Sequence, residues 1–264
     1  MVEFTNNALP RRQFVKDAAL ASAGVSIGPY FVFGAAQTGK PMKRAMGRLG
    51  FEATTLGLGG QASLQWTPAD VDPVKIILKA FELGVNYFDT SNVYDSSQMN
   101  YGKAFRELHL IPGQPGYDER LRRSIFLTSK TALRFGKGGW QKQGLINVTN
   151  GTPGSHTADD IRRTLSQIYG DGKGSYPQGA YLNMVLLHSI STTADVDAAY
   201  QGYDRPDPKA ETIGALATLI DYRDGTNLTG LNPKEEKLVR HIGFSGHASP
   251  AVMIEMIQRD SRGV

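Results

Sequence analysis

From Met46 onward the chain repeats one alternation: a short apolar run, a turn rich in glycine or polar residues, then a longer segment with apolar positions at helical spacing. Residues 54–60, TTLGLGG, read as a strand closing in glycines. Residues 72–84, DPVKIILKAFELG, read as a helix: Val74, Ile77, Leu78 and Phe81 share a face, Pro73 occupies the first turn, and Gly84 stops it. The runs VNYFDT (85–90), SIFLTSK (124–130), YLNMVLLHS (181–189) and RHIGFSGH (240–247) predict further strands. MNYGKAFREL (99–108), TADDIRRTLSQIY (157–169), AETIGALATLIDY (210–222) and SPAVMIEMIQRD (249–260) predict helices. Thr157 is expected to cap its helix with Asp160 in the capping-box position, and Ser249 with Pro250 to open the last one.

Strands that alternate with helices predict a parallel sheet, and strands this uniformly apolar predict burial of both faces. Two α/β architectures satisfy the pattern, an open doubly wound sheet and a (β/α)8 barrel. Polar residues decide between them, because Asp89 and Tyr94, Lys130, His188, and Ser245 with His247 all follow the C-terminal ends of successive strands. In a barrel those ends form one rim, so residues far apart in the chain converge on one mouth. About five strand–helix units are present where a full barrel has eight, so the expectation is an incomplete barrel, with an open half-barrel as the alternative. Two long connections, residues 131–156 and 170–180, are expected to be exposed. Trp140 in the first either covers a pocket or belongs to a surface insertion.

Composition narrows the chemistry. The 264 residues, 40% of them apolar, suffice for a large core, and a net charge of +4 without a dense basic cluster argues against nucleic acid as a partner. Cysteine is absent, which removes disulfides, thiolate catalysis and Cys-ligated metals; redox chemistry would need a bound organic cofactor. At the N-terminus, Arg11 and Arg12 precede Phe14 and Lys16, a moderately apolar stretch, and small residues Gly34, Ala35 and Ala36. That is the outline of a twin-arginine export signal. It divides the chain into a signal segment, 1–36, and a truncated barrel domain, 37–264, and predicts the twin-arginine machinery as a partner and an exported, periplasmic location. The apolar stretch is short and carries Gly24, Gly28 and Pro29, so a removed signal is favoured over a retained anchor. A basic amphipathic helix is the other reading of the same residues.

Several blocks, in order, resemble the aldo-keto reductase family. MGRLGFEATTLGLGG is similar to the family's opening hairpin and first strand, and AFELGVNYFDTSNVYDSSQMNYGKAF to its second unit, with Asp-Thr, then Tyr, then Gly of the next helix. FLTSKT resembles its Lys strand, LNMVLLHS its His strand, and IGFSGH the strand whose Ser touches the nicotinamide. The blocks run from about residue 46 to 260. Carried over by position, the resemblance implies catalytic residues Asp89, Tyr94, Lys130 and His188, cofactor contacts at Gly59, Gly60, Asp89, Ser245 and Gly246, NADP as the cofactor, and a small carbonyl substrate.

Such a set can reduce a carbonyl. Hydride must come from a nicotinamide, and a tyrosine can supply the proton if its pKa, ordinarily about 10, is lowered. Lys130 would lower it by stabilising phenolate, Asp89 would hold the ammonium, and neutral His188 would orient the carbonyl. Singly, each residue has a plain structural reading, as a turn acid, a rim aromatic, a strand-end lysine or a core histidine; the joint order carries the assignment. Two departures stand out. Gly246 and His247 replace the Asn that commonly follows the family's Ser, and Asn183 occupies a position that is acidic in many members. The competing readings are a metal-dependent sugar isomerase, for which strand-end Glu ligands are missing, and a nicotinamide-binding barrel without turnover.

Overall fold

The computed structural model describes residues 40–138 and 155–263. The twin-arginine segment and Trp140 lie outside the described residues.

An antiparallel hairpin comes first, β1 (Lys43–Ala45) and β2 (Glu52–Thr54), in register Lys43 to Thr54. Asn86 ties it to the sheet: its Oδ1 accepts from the Thr54 N–H at 2.7 Å and its Nδ2 donates to the Glu52 carbonyl at 2.9 Å. Phe51 packs on Phe126 with ring centroids 5.2 Å apart. Asn86 and Phe126 both sit at strand starts, so the hairpin covers the N-terminal end of the strands and leaves the C-terminal end for chemistry.

The main sheet is parallel, as the strand–helix alternation predicts. Its strands are β3 (Leu58–Gly59), β4 (Tyr87–Asp89), β5 (Phe126–Thr131), β7 (Leu182–Leu187) and β9 (Val239–Phe244), each next to its predecessor in this order. The register runs Gly59, Asp89, Thr128, Met184, His241 across all five strands, and Lys130, Leu186, Gly243 one layer further on. Side chains alternate between faces along each strand, so Asp89, Thr128, Lys130 and Leu186 share one face. The other face meets the helices: Ser129 accepts from Gln98 and Thr131 donates to Asp160, while Leu127, Val185 and Leu187 enter the core.

The crossover helices are α1 (Pro73–Glu82), α2 (Ser97–Glu107), α4 (Thr157–Tyr169) and α6 (Ala215–Asp224), and α7 (Pro250–Gln258) follows the last strand. Capping fixes α1 as its sequence suggests, with the Asp72 carboxylate accepting from the Val74 N–H at 2.9 Å and Pro73 in the first turn. Ile77 buries that helix's apolar stripe.

Several expectations need correction. The N-cap of α4 is His156, not Thr157, and its backbone N–H is bound by Asp159, not Asp160. Thr157 is drawn away because its hydroxyl donates to the Phe135 carbonyl, and Asp160 because it pairs with Thr131 and Arg163. The helix expected over 210–222 starts at Ala215, because Ile213–Gly214 (β8) pairs antiparallel with Phe135–Lys137 (β6). That pairing also buries the start of the 131–156 connection, expected to be exposed: Leu133 and Phe135 join the interior, and a Cβ on Gly136 would fall 1.8 Å from the Thr218 hydroxyl. Two short helices, α3 (Glu119–Arg123) and α5 (Thr193–Tyr200), add to the expected set.

Candidate active site

β4 ends at Asp89, β5 carries Lys130 as its next-to-last residue, and His188 follows β7 directly. All three are thereby set at the C-terminal end of the sheet. Tyr94 reaches the same place from the connection between β4 and α2. The Thr90 N–H prolongs the ladder by donating to Thr128 O, and the chain then turns tightly, Tyr94 N–H to Ser91 O at 3.1 Å and Ser97 N–H to Tyr94 O at 2.8 Å. Asp95 takes a left-handed backbone, φ +41°, at the exit. The phenol is folded back over the strand ends and is 8% exposed.

Lys130 is buried and donates to the Asp89 carboxylate and, at 3.1 Å, to the Thr90 carbonyl. Its ammonium lies 4.7 Å from the centroid of the Tyr94 ring, so it meets the phenol through the ring face. Burial pushes the Asp89 carboxyl above the usual carboxylate range, and the Lys130 ammonium pulls it back down. The Tyr94 Oη stands 3.5 Å from His188 Nε2, with the two rings edge to face at 5.5 Å between centroids. Thus the four expected residues are brought together.

His188 is held below its ordinary value of 6.5, to about 4, first by burial and then by the positive charges of Lys130, Arg134 and His247. Its imidazole is therefore neutral at physiological pH. Two neighbours of this ring escaped the sequence reading. Ser91, fully buried, places its Oγ 3.3 Å from His188 Nδ1. Arg134, also buried, donates to Asp195 at 2.9 Å and to the Ser189 carbonyl at 3.0 Å, which pins the connection that follows His188. Ser91 passes in sequence for an ordinary turn residue, and no spacing couples Arg134 to Asp195. The one available signal is Thr192 followed by Asp195, a helix start whose acid has capacity left for a cation.

The expected cofactor contacts divide by their surroundings. Ser245 follows β9; its Oγ accepts from the Ser189 N–H at 3.0 Å and its own N–H donates to Leu187 O. Around Gly59 there is open space, since a Cβ there would meet nothing within 4 Å. Gly60 and Gly246 are tightly packed, with a Cβ falling 2.6 Å from the Asp89 carbonyl and 2.9 Å from the Ile190 carbonyl, respectively. His247 is exposed. Asn183, in the position often acidic in the resembled family, is structural: its Oδ1 accepts from the buried Arg122 guanidinium and from the Leu127 N–H, both at 3.0 Å. Among the described residues, no three of His, Asp and Glu gather as a metal site.

Solved structures similar to this chain include a Pseudomonas aeruginosa protein assigned to the aldo-keto reductases, at 18% identity and TM-score 0.47, covering 83% of this chain and 65% of that one. A Bombyx mori aldo-keto reductase in complex with NADP is 16% identical, with TM-score 0.48, and covers 84% of this chain and 56% of its own. This chain therefore spans less than two thirds of the length of these proteins. No curated protein matches it. The model of the Aldo/keto reductase family matches residues 55–262, which takes in every strand of the parallel sheet and all four residues at its mouth, and the chain belongs to that family.

Proposed function

We propose that this chain holds the proton-donating half of an NADP-dependent reduction of a small aldehyde or ketone. One arrangement supports the reading: the Lys130–Asp89 ion pair under the ring of Tyr94, whose hydroxyl faces the neutral imidazole of His188. A carbonyl oxygen between Tyr94 Oη and His188 Nε2 would lie within reach of both. Tyr94 gives its proton to that oxygen, the nearby ammonium stabilises the phenolate left behind, and Asp89 keeps the ammonium in place. His188 orients the carbonyl by hydrogen bonding.

The nicotinamide, when bound, supplies the hydride. The residues present fit it in part. The Ser245 hydroxyl accepts from Ser189 and keeps its own hydrogen to donate to the carboxamide, and the space beside Gly59 is open. Gly60 and Gly246 could contribute only backbone. NADP over NAD rests on the family and is decided by titrating both.

The test is NADPH oxidation with small aldehydes, with Tyr94→Phe losing about 10²- to 10⁴-fold in kcat. Normal turnover by Tyr94→Phe would refute the donor assignment, and turnover indifferent to nicotinamide would refute the reductase. One observation favours the family's non-turnover alternative: the hydrogen bonds of Lys130 go to Asp89 and Thr90, while the phenol hydroxyl receives none from it. That alternative binds NADPH without oxidising it. The export reading stands on residues 1–36 alone. Replacing Arg11 and Arg12 by lysine should leave the protein in the cytoplasm, and an unchanged distribution would refute it.

A further inference from the structure

The phenol and the imidazole at the mouth raise a question of hydrogen placement. A neutral imidazole carries one hydrogen, on Nδ1 or on Nε2, and only Nε2 faces Tyr94. With the hydrogen on Nε2, His188 donates toward the substrate oxygen and leaves the phenol hydrogen free. With it on Nδ1, Nε2 becomes an acceptor that holds the Tyr94 hydrogen away from substrate. The opposite nitrogen decides, and Ser91 lies against it.

Ser91 Oγ is 3.3 Å from His188 Nδ1, and its residue is fully buried. Its other hydrogen-bond partner among the described residues is the Val93 N–H at 3.4 Å, which can only donate. The lone pairs of Oγ are thus addressed by an N–H, and the hydroxyl hydrogen has one acceptor within reach, Nδ1. If Nδ1 carried a hydrogen instead, Oγ would face two donors and its own hydrogen would be buried without a partner, a cost of about 1–3 kcal/mol.

We propose that Ser91 is a positioning residue that donates to His188 Nδ1 and so fixes the Nε2–H tautomer, the one that can donate to a carbonyl oxygen at Tyr94. The placement follows from the shape of the turn. The Tyr94 N–H bonds back to the Ser91 carbonyl, so the loop that delivers the phenol to one nitrogen of the ring delivers the hydroxyl to the other. Both atoms that instruct His188 lie on one short segment, and they hold their relation when the loop shifts as a unit. The catalytic consequence rests on the reductase reading above; the tautomer does not.

The test reads the tautomer directly, by two-dimensional 15N–1H NMR of the imidazole resonances in the full chain at neutral pH. The wild type should show His188 with a protonated Nε2 and an unprotonated, pyridine-type Nδ1. A protonated Nδ1 in the wild type overturns the proposal, with or without any variant. In Ser91→Ala the His188 signals should move toward the Nδ1–H form while those of His241 stay in place, and Ser91→Thr, which keeps a hydroxyl, should restore the wild-type pattern. A pure Nε2–H pattern in Ser91→Ala also overturns it. In the reductase assay Ser91→Ala should lower kcat about fivefold to tenfold with KM for NADPH unchanged. Loss of all NADPH oxidation in the wild type, with the tautomer as stated, refutes the reductase and leaves the role of Ser91 standing. Oxidation with the wrong tautomer refutes Ser91 and leaves the reductase.

Discussion

The depressed His188 makes the stability of this fold depend on pH in a defined window. In the unfolded chain the ring titrates near 6.5; in the folded chain it titrates at about 4, because burial and the cations Lys130, Arg134 and His247 disfavour imidazolium. The unfolded state therefore binds the proton first as pH falls. The contribution of His188 is complete above 6.5 and is lost progressively down to about 4. At about 1.4 kcal/mol per unit of separation, the full loss has a ceiling of ~3.4 kcal/mol, and ~2 kcal/mol of it is gone by pH 5. The ring is only part-buried, so water moderates the shift and roughly half these figures is expected, about 1 kcal/mol at pH 5. The assay is urea unfolding of the wild type and His188→Gln at steps from pH 7.5 to 4.5. His241 is also depressed and Asp89 raised, but both are present in both proteins and cancel in the difference. The wild type should lose stability faster than the variant on acidification. Parallel curves over this range would refute the electrostatic account of the site.

Three further outcomes follow from contacts around the mouth. Gly60→Ala should cost about 1–3 kcal/mol in thermal or denaturant unfolding, because its Cβ would press on the Asp89 carbonyl, Ser97 Oγ and Thr90 Cα, whereas Gly59→Ala should leave stability unchanged. Arg134→Met should destabilise by about 2–3 kcal/mol, less than for a fully stranded buried charge, because Asp195 keeps the N–H groups of Ser191 and Thr192; a loss below ~0.5 kcal/mol would show the pair to be dispensable. Lys130→Met should lower kcat at least about 100-fold in the NADPH assay with the fold retained by circular dichroism, and full activity would remove the ammonium from the chemistry.

The parallel sheet was legible because apolar runs open or fill most of its strands and because α1 and α4 carry clear apolar stripes. What escaped was set by contacts between distant segments. α5 is short and buried on several sides, so it lacks an apolar stripe, although Thr192 and Asp195 mark its start with reciprocal capping bonds. Residues 132–137 mix apolar Ala132, Leu133 and Phe135 with Arg134, Gly136 and Lys137 and open a long connection, so they read as loop, yet most of them are interior because β6 finds β8 almost 80 positions later in the chain. Local pattern holds no information about such a partner. Arg122 shows the same limit. A cation in the run ERLRR suggests surface, but its guanidinium is fully buried, with Tyr169, Asn183 and the Tyr181 carbonyl as neutral acceptors and the Tyr181 ring against it at 3.9 Å.

At the site, the four residues and the pairing of Asp89 with Lys130 beside Tyr94 were legible by type, order and resemblance, and the contacts of Thr90, Ser91 and Arg134 were not. The sequence puts Asp89 and Tyr94 five positions apart, which suggests only a strand end and a turn. In the fold that interval does three tasks at once. Asp89 holds Lys130 beneath the phenol ring, the Thr90 carbonyl gives the same ammonium a second acceptor, and Ser91 reaches the far side of the imidazole that Tyr94 faces. Each is a consequence of the next: a ladder bond from the Thr90 N–H carries the chain one residue past the strand, and the Tyr94 N–H then closes the turn on Ser91 O. A one-residue insertion between Ser91 and Tyr94 would break that closing bond while leaving all four expected residue types in the sequence. It should abolish turnover and, because Ser91, Asn92 and Tyr94 are buried, also lower the unfolding midpoint, and retained turnover would mean that the spacing, for all its regularity, is incidental.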